Sequence, residues 1–135
     1  MANSLIMMGT TTSSAVLENG VVPLTSIFRR RGQVLTSNSD NIFLNRPGYY
    51  KVNASITFVA PTAGNVTLVA QKDNVDIPGL TATTTVSTAT TQVSTLNISG
   101  IVRVTCGEGF ASLSLVNSGV EIVTSNVEID VEYLG

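Results

Sequence analysis

The sequence contains no histidine, no tryptophan and a single cysteine. Histidine is the commonest general base and transition-metal ligand in proteins, so its absence removes most nucleophilic triads and zinc sites. One cysteine cannot form an intrachain disulfide. Cys106 continues the apolar alternation of Val102 and Val104, which predicts a buried, unreactive thiol. We therefore expect no enzymatic activity, no cofactor and no bound metal ion.

Charge is also scarce, because only 12% of the residues are charged and the formal net charge is −2. Nucleic acids and anionic membranes attract proteins through a sustained basic field, which this composition does not supply. The N-terminal apolar run at residues 5–8 is short and follows no basic residue, which argues against a signal peptide or a membrane span. We expect a protein made in the cytoplasm that binds neither nucleic acid nor membranes.

What the sequence does contain is alternation of apolar and polar residues, most regularly at residues 48–59. Such a period of two is typical of a strand with one face against a core. A chain of 135 residues fits one domain with its own core. One face of this segment carries five apolar residues, Tyr50, Val52, Ala54, Ile56 and Phe58, and the other carries Lys51, Asn53, Ser55 and Thr57.

Similar alternation recurs at residues 96–104 and 127–133, between turns rich in Gly, Pro and Asn, and no helical period is present. This pattern predicts an antiparallel sandwich or barrel of short strands. We interpret residues 61–64 as a hairpin loop, whereas the weak periodicity at 81–92 fits a strand, a loop or both. Five apolar residues fall on outward faces and indicate a second buried surface against another copy of the chain: Phe43, Val69, Ile101, Val116 and Leu134.

Four short motifs occur in an order that resembles the C1q/TNF-like jelly-roll family. They are FLNRPGYY at 43–50, QKDN at 71–74, LNISG at 96–100 leading to Val104, and Gly107-Glu108. The resemblance covers residues 21–134. It implies an all-β, antiparallel two-sheet jelly-roll sandwich that assembles as a homotrimer. We accordingly expect a jelly-roll domain at residues 21–135, with residues 1–20 as an N-terminal arm or attachment segment.

The sequence departs from this family because no collagen-like repeat precedes the domain and aromatic residues make up only 5%. Stalkless versions of the domain resemble bacterial and bacteriophage proteins. The resemblance therefore implies a structural virion protein, a trimeric decoration protein on the outer capsid surface whose partner is the major capsid protein or another virion protein. One alternative is the receptor-binding knob of a phage tail or head fibre, which binds a host-surface glycan or protein. Another is a bacterial surface or spore-coat domain.

The arginine run at residues 29–31 is the one charge cluster of the sequence. It could bind an acidic patch on a partner, or pair within the trimer with the acidic residues Glu128, Asp130 and Glu132 of the last strand. We favour pairing within the trimer, since adjacent side chains on a strand alternate faces and cannot all reach one partner. The acidic residues lie about 7 Å apart along the strand, too far for a compact cation site. The candidate attachment or inter-subunit contacts are Leu5, Ile6, Met7, Met8, Arg29, Arg30, Arg31, Ile101 and Leu134.

Overall fold

The computed structural model describes residues 4–38 and 40–135. Throughout these residues the regular structure consists of strands, which form two six-stranded antiparallel sheets. No helix in this part of the chain is long and apolar enough to cross a membrane. The predicted all-β, two-sheet antiparallel sandwich is confirmed.

Twelve strands follow one another along the chain: β1 (Leu5–Thr10), β2 (Ser14–Val16), β3 (Gly20–Val21), β4 (Ser26–Arg31), β5 (Leu35–Asn38), β6 (Asn41–Leu44), β7 (Gly48–Val59), β8 (Gly64–Lys72), β9 (Val75–Val86), β10 (Ser94–Val104), β11 (Ala111–Asn117) and β12 (Ile122–Tyr133). Sheet A has the spatial order β10-β7-β12-β1-β4, and β2 pairs with β12. Sheet B has the order β5-β6-β11-β8-β9, and β3 pairs with β11.

The core lies between the inner faces of the two sheets, and β7 shows how the sequence produces it. Its alternate residues Tyr50, Val52, Ile56 and Phe58 are fully buried, and Ala54 is 5% exposed. The alternation predicted at residues 48–59 is therefore confirmed. Burial of such side chains contributes roughly 1.5–3 kcal/mol each relative to exposure, which makes this strand a main part of the core.

The predicted arm at residues 1–20 does not form a separate segment where the structure describes it. Strand β1 lies inside sheet A between β12 and β4, and β2 pairs with β12. Ile6 and Met8 point into the core, with 0% and 2% of their surface exposed. The apolar run at residues 5–8 supplies this buried face, so the jelly roll includes β1 and β2. Residues 1–3 lie outside the described part of the chain.

Two connections differ from a simple meander. The loop at residues 61–64, predicted as a hairpin, links β7 in sheet A to β8 in sheet B, because β7 pairs with β10 and β12 instead. The ambiguous segment at 81–92 is both strand and loop. Strand β9 continues to Val86, and the following residues cross back to β10 in sheet A.

Cys106 is exposed, so the prediction of a buried thiol is wrong. The apolar alternation of β10 ends at Val104, and the chain then turns at residues 106–108. A residue that continues a pattern past the end of its strand no longer shares the buried face of that strand.

Two tyrosines hold the turn that precedes β7. The hydroxyl of the buried Tyr50 donates to the carbonyl of Arg46 at 2.6 Å, and that of Tyr133 donates to the carbonyl of Pro47 at 3.0 Å. Their ring centroids are 5.0 Å apart. Burial raises the pKa of Tyr50 above 10.0. The Pro-Gly-Tyr-Tyr element thus joins β7 to the last strand.

Candidate interaction face

The outer face of sheet A brings together residues from five strands. One row across the sheet, in the order β4, β1, β12, β7, β10, consists of Arg31, Leu5, Glu132, Lys51 and Ile101. The next outward row consists of Arg29, Met7, Asp130, Asn53 and Ser99. Between the two rows, Ile6, Val131 and Val52 point into the core. We call the outward surface the β4–β10 face.

Six of the nine candidate contact residues share this face. Leu5, Met7, Arg29, Arg31 and Ile101 lie in the two rows, and Leu134 lies just beyond them, where its N–H donates to the carbonyl of Tyr49 at 2.8 Å. Ile6 and Met8 belong to the core and offer no contact surface. Arg30 lies opposite Ile6 in the register, so it points to the other side of β4 from Arg29 and Arg31.

The apolar part of the β4–β10 face is exposed in the single chain. Ile101 is 52% exposed, Leu134 is 50% exposed and Tyr49 is 46% exposed. Leu5 and Met7 are half-buried. The guanidinium of Arg103 lies 5.5 Å from the centre of the Tyr49 ring and covers one side of it. The face can therefore bury apolar surface against a partner.

A chain of hydrogen bonds crosses the centre of the β4–β10 face. The Ser99 hydroxyl donates to Asn53 Oδ1 at 2.7 Å, and Asn53 Nδ2 donates to Asp130 Oδ1 at 3.3 Å. These contacts orient the Asp130 carboxylate, and alternation within a single strand cannot reveal them. They depend on which strands are neighbours in the sheet.

The edge strand β4 is exposed at all six of its residues. A register shift lies between Met7 and Met8 where β4 pairs with β1, so Phe28 has no direct partner. The Phe28 ring lies over Gly9, where an added Cβ would approach Phe28 Cε2 to 2.8 Å. Phe28, which is 39% exposed, is an apolar residue beside the β4–β10 face that the sequence interpretation missed. A bulge adds a residue that has no partner in the neighbouring strand, so the alternation of apolar and polar residues does not predict on which face it lies.

The other predicted outward apolar residues lie elsewhere. Val69 and Val116 pair with each other on the outer side of sheet B, and they are only 5% and 8% exposed. Phe43 is half-buried in β6 of the same sheet. The expected second apolar surface is therefore divided between the two sheets, and the strongly exposed members, Ile101 and Leu134, are both on sheet A.

The predicted arginine–acid pairs do not form within one chain. Strand β12 contains the acidic residues Glu128, Asp130 and Glu132, and strand β1 separates them from the arginines of β4. Among the described residues the ion pair present is Lys72–Glu108, with Lys72 Nζ 3.0 Å from Glu108 Oε2. The described residues also contain no group of three or more Cys, Asp or Glu side chains that could hold a metal ion.

A groove lies at the edge where β9 meets β10. Its volume is about 390 Å³, and its lining includes exposed Val75, buried Ile77 and Val102, and the two cations Lys72 and Arg103. Lys72 Nζ donates to the carbonyl of Arg103 at 2.9 Å, which ties the end of β8 to the end of β10. Ile101 of the β4–β10 face and the acidic Asp76 also line it, so the groove is largely apolar with charged residues of both signs.

Glu108 closes the turn beside this groove and carries a pH prediction. The Thr105 N–H donates to Glu108 Oε1 at 2.8 Å, and Lys72 and the Thr105 hydroxyl also donate to this carboxylate. These contacts lower the pKa of Glu108 from 4.5 to about 2. The hydrogen bond from the Thr105 N–H has the largest effect, and the hydrogen bond from Lys72 comes next. Because the pKa of Glu108 is lower in the folded state than in the unfolded chain, the ionised carboxylate stabilises the fold. This contribution is fully present above pH 4.5 and is lost as the pH falls towards 2.

We expect an NMR titration of the side-chain carboxyl carbon of Glu108 to give this low pKa. In the Lys72→Met variant the pKa should rise but stay below 4.5, because the Thr105 donors remain. An ordinary glutamate pKa in the wild-type chain would contradict the hydrogen-bonded turn.

The two sheets and their strand order define a TNF-like jelly roll, as the sequence motifs implied. Solved structures with this fold include murine APRIL at pH 5.0, with a TM-score of 0.72 and 9% identity over 98% of this chain and 99% of that chain. Eiger TNF from S. frugiperda has a TM-score of 0.68 and 14% identity, over 98% of this chain and 92% of that chain.

A third similar structure is the PRD1 vertex protein P5, with a TM-score of 0.57 and 18% identity over 99% of this chain and 97% of that chain. No protein-family model matches the sequence, and no curated protein matches it. At these identities the likeness to solved structures establishes the fold alone.

Proposed function

We propose that the protein is a structural virion component that forms a homotrimer through the β4–β10 face and decorates the outer capsid surface. The observation that carries the proposal is the cluster of exposed apolar side chains on this face of a TNF-like jelly roll. The likeness to a vertex protein supports placement on a virion. The role is structural and involves no catalysis.

The size of the β4–β10 face suits a stable protein interface. Five strands at ~4.8 Å spacing make a surface about 19 Å wide, which is nearly 40 Å long at β7, β10 and β12 but about 20 Å long at β1 and β4, because these two strands have six residues each. The resulting area of roughly 600 Å² is the larger part of the ~800 Å² that each partner contributes to a standard interface. Burial of Ile101, Leu134 and Tyr49 would supply the hydrophobic contribution at its β10 edge and at one end.

Threefold symmetry would give a decoration protein a simple way to hold a capsid. A trimer placed where capsid subunits meet around a local threefold axis makes three copies of each contact. Linked contacts raise the overall affinity well above that of one contact, without new interactions. Because β1 and β2 belong to the jelly roll, attachment through them as a free arm is no part of this proposal.

The self-association part of the proposal is tested by substituting a charge into the apolar surface. We expect the wild-type chain to have three times the mass of the 14.1 kDa monomer in light scattering, and Ile101→Glu to have the monomer mass. Moving a carboxylate from water into an apolar contact is unfavourable, even with Lys51 opposite it on β7. Val93→Glu is the matched control, since Val93 is 68% exposed in the loop before β10. A monomeric wild-type chain would refute the trimer.

The virion part is tested by mixing the purified protein with capsids that lack it. Saturable binding, with added density at local threefold positions in electron cryomicroscopy, is the expected result. An intact trimer that does not bind such capsids would refute decoration while leaving the trimer standing.

A second candidate function is receptor binding, as the knob of a fibre. The groove between β9 and β10 favours it, because a concave, apolar site with a few polar groups suits a small ligand. Binding of the isolated protein to a glycan array, abolished by Arg103→Ala, would support this role over decoration.

A further inference from the structure

The charged residues of the β4–β10 face are segregated by strand. Arg29 and Arg31 lie on the edge strand β4, whereas the acidic residues Glu128, Asp130 and Glu132 lie on β12. Strand β1 lies between the two sets and contributes the half-buried Leu5 and Met7. The face therefore has a basic edge, an apolar stripe and an acidic stripe.

The register matches each arginine to one acidic residue. Arg31 and Glu132 both pair with Leu5, and Arg29 and Asp130 both pair with Met7. Within one chain the paired Cα atoms are two strand spacings apart, about 9.6 Å. The two arginines are spaced along β4 as the two acids are along β12. Strand β4 of a second subunit, placed over the acidic stripe of the first, could thus form the Arg29–Asp130 and Arg31–Glu132 contacts at the same time.

We propose that the occupant of the acidic stripe is the basic edge of another copy of this chain, with Arg29 of one subunit paired to Asp130 of the next. The inference rests on the proposed self-association and names its ionic contacts. A guanidinium can donate two parallel hydrogen bonds to a carboxylate, which fixes direction as well as distance. These contacts would set the register of the apolar residues between them.

Asp130 is better suited to this contact than Glu132. Lys51 of β7 lies directly opposite Glu132, which places a second cation beside any arginine that pairs with Glu132. Asp130 faces the neutral Asn53, whose amide donates a single hydrogen bond to Oδ1 at 3.3 Å, so both carboxylate oxygens keep a lone pair that can accept from a partner's guanidinium. An interface that buried Arg29 or Asp130 without its partner would be unfavourable in free energy, because the buried charge would be unpaired. The pair therefore disfavours interfaces in which the two copies are misaligned.

A charge swap between two residues tests the inference. Arg29→Glu and Asp130→Arg should each raise the subunit concentration for half-assembly by at least about tenfold, and the double variant should return it to within about threefold of wild type. Arg30→Glu is the matched control, because Arg30 lies on the same strand and points to its other side. Sedimentation equilibrium measures the assembly of each variant.

Two further measurements separate the possible outcomes. Raising the salt concentration from about 0.1 M to about 1 M should weaken assembly of the wild-type chain. It should weaken assembly of the double variant to a similar extent, because that chain has the same ion pair with its charges exchanged. Thermal unfolding of dilute subunits should be equal in the wild-type, Arg29→Glu and Arg30→Glu chains, since an Arg29–Asp130 pair within one chain would change it; the two Asp130→Arg chains are compared with each other, because both lose the hydrogen bond from Asn53. Assembly unaffected by Arg29→Glu, or weakened equally by Arg30→Glu, would overturn the ionic contact but not the trimer. A wild-type chain that remains monomeric would instead overturn the proposed function.

Discussion

Replacing Ile6 by Ala is expected to lower the free energy of unfolding by about 2–5 kcal/mol. Ile6 is fully buried in β1, and its neighbours across the sheet include Val131 of β12. Truncation removes the packed side chain and leaves a cavity that a strand held on both sides cannot close. Since small domains have total stabilities of about 5–15 kcal/mol, this single change removes a large fraction.

The matched control for this variant is Leu5→Ala in the same strand. Leu5 is half-buried on the outward β4–β10 face, so its truncation should change the unfolding free energy of a dilute subunit by less than about 1 kcal/mol. It should weaken self-association instead. Urea unfolding of subunits at low concentration, together with light scattering at high concentration, measures the two effects separately. Equal, small losses of stability for both variants would show that β1 is detachable, as an attachment arm would be.

A second large effect is expected from Gly9→Ala, which should destabilise the fold by about 3 kcal/mol. A Cβ at this position would overlap the carbonyl oxygen of Val127, and the Phe28 ring lies on the same side. The oxygen belongs to the backbone of β12, so no side-chain rotation can relieve the overlap. Strands β1 and β12 would have to separate where Gly9 pairs with Glu128.

Gly107→Ala provides the control for a glycine without such contacts. Apart from Gly107 and its two chain neighbours, no residue comes within 4 Å of the position that a Cβ would take there, and the φ of Gly107 is not positive. Its stability should stay within about 0.5 kcal/mol of the wild-type value. Thermal unfolding followed by circular dichroism compares the two variants directly. A Gly9→Ala chain as stable as Gly107→Ala would mean that β1 and β12 are not packed as closely as the structure shows.

The strands that sequence alone predicts best are those with one buried and one outward face. In β7, Tyr50 to Phe58 alternate with polar residues, and the structure buries the residues that the pattern selects. Turn chemistry is equally local: Asn19 and Asp73 have positive φ, a conformation that Asn and Asp adopt more readily than most residues. The candidate contact Ile101 also comes from the sequence, because alternation along β10 places it on the outward face. Leu5 and Arg29 come from the continuous runs at residues 5–8 and 29–31, in which the prediction does not separate outward from inward residues.

Local patterns do not specify which strands become neighbours. The apolar residues of β1 look the same in a free arm as in a central strand, and it is pairing with both β12 and β4 that distinguishes them. For the same reason the loop at residues 61–64 reads as a hairpin although it joins two sheets. The apolar alternation also predicts a buried Cys106, because the pattern extends one step past the end of β10, where the chain leaves the sheet.

By itself, the sequence determined the two-faced strands, the turns and the absence of histidine chemistry, because these depend on composition and on a period of two along the chain. The tertiary structure decided that residues scattered from Leu5 to Leu134 share one face, that Ile6 and Met8 do not belong to it, and that arginines and acids lie in matched rows. Strand order depends on burying the apolar inner faces of all the strands together, and the sequence of a single strand does not contain that information.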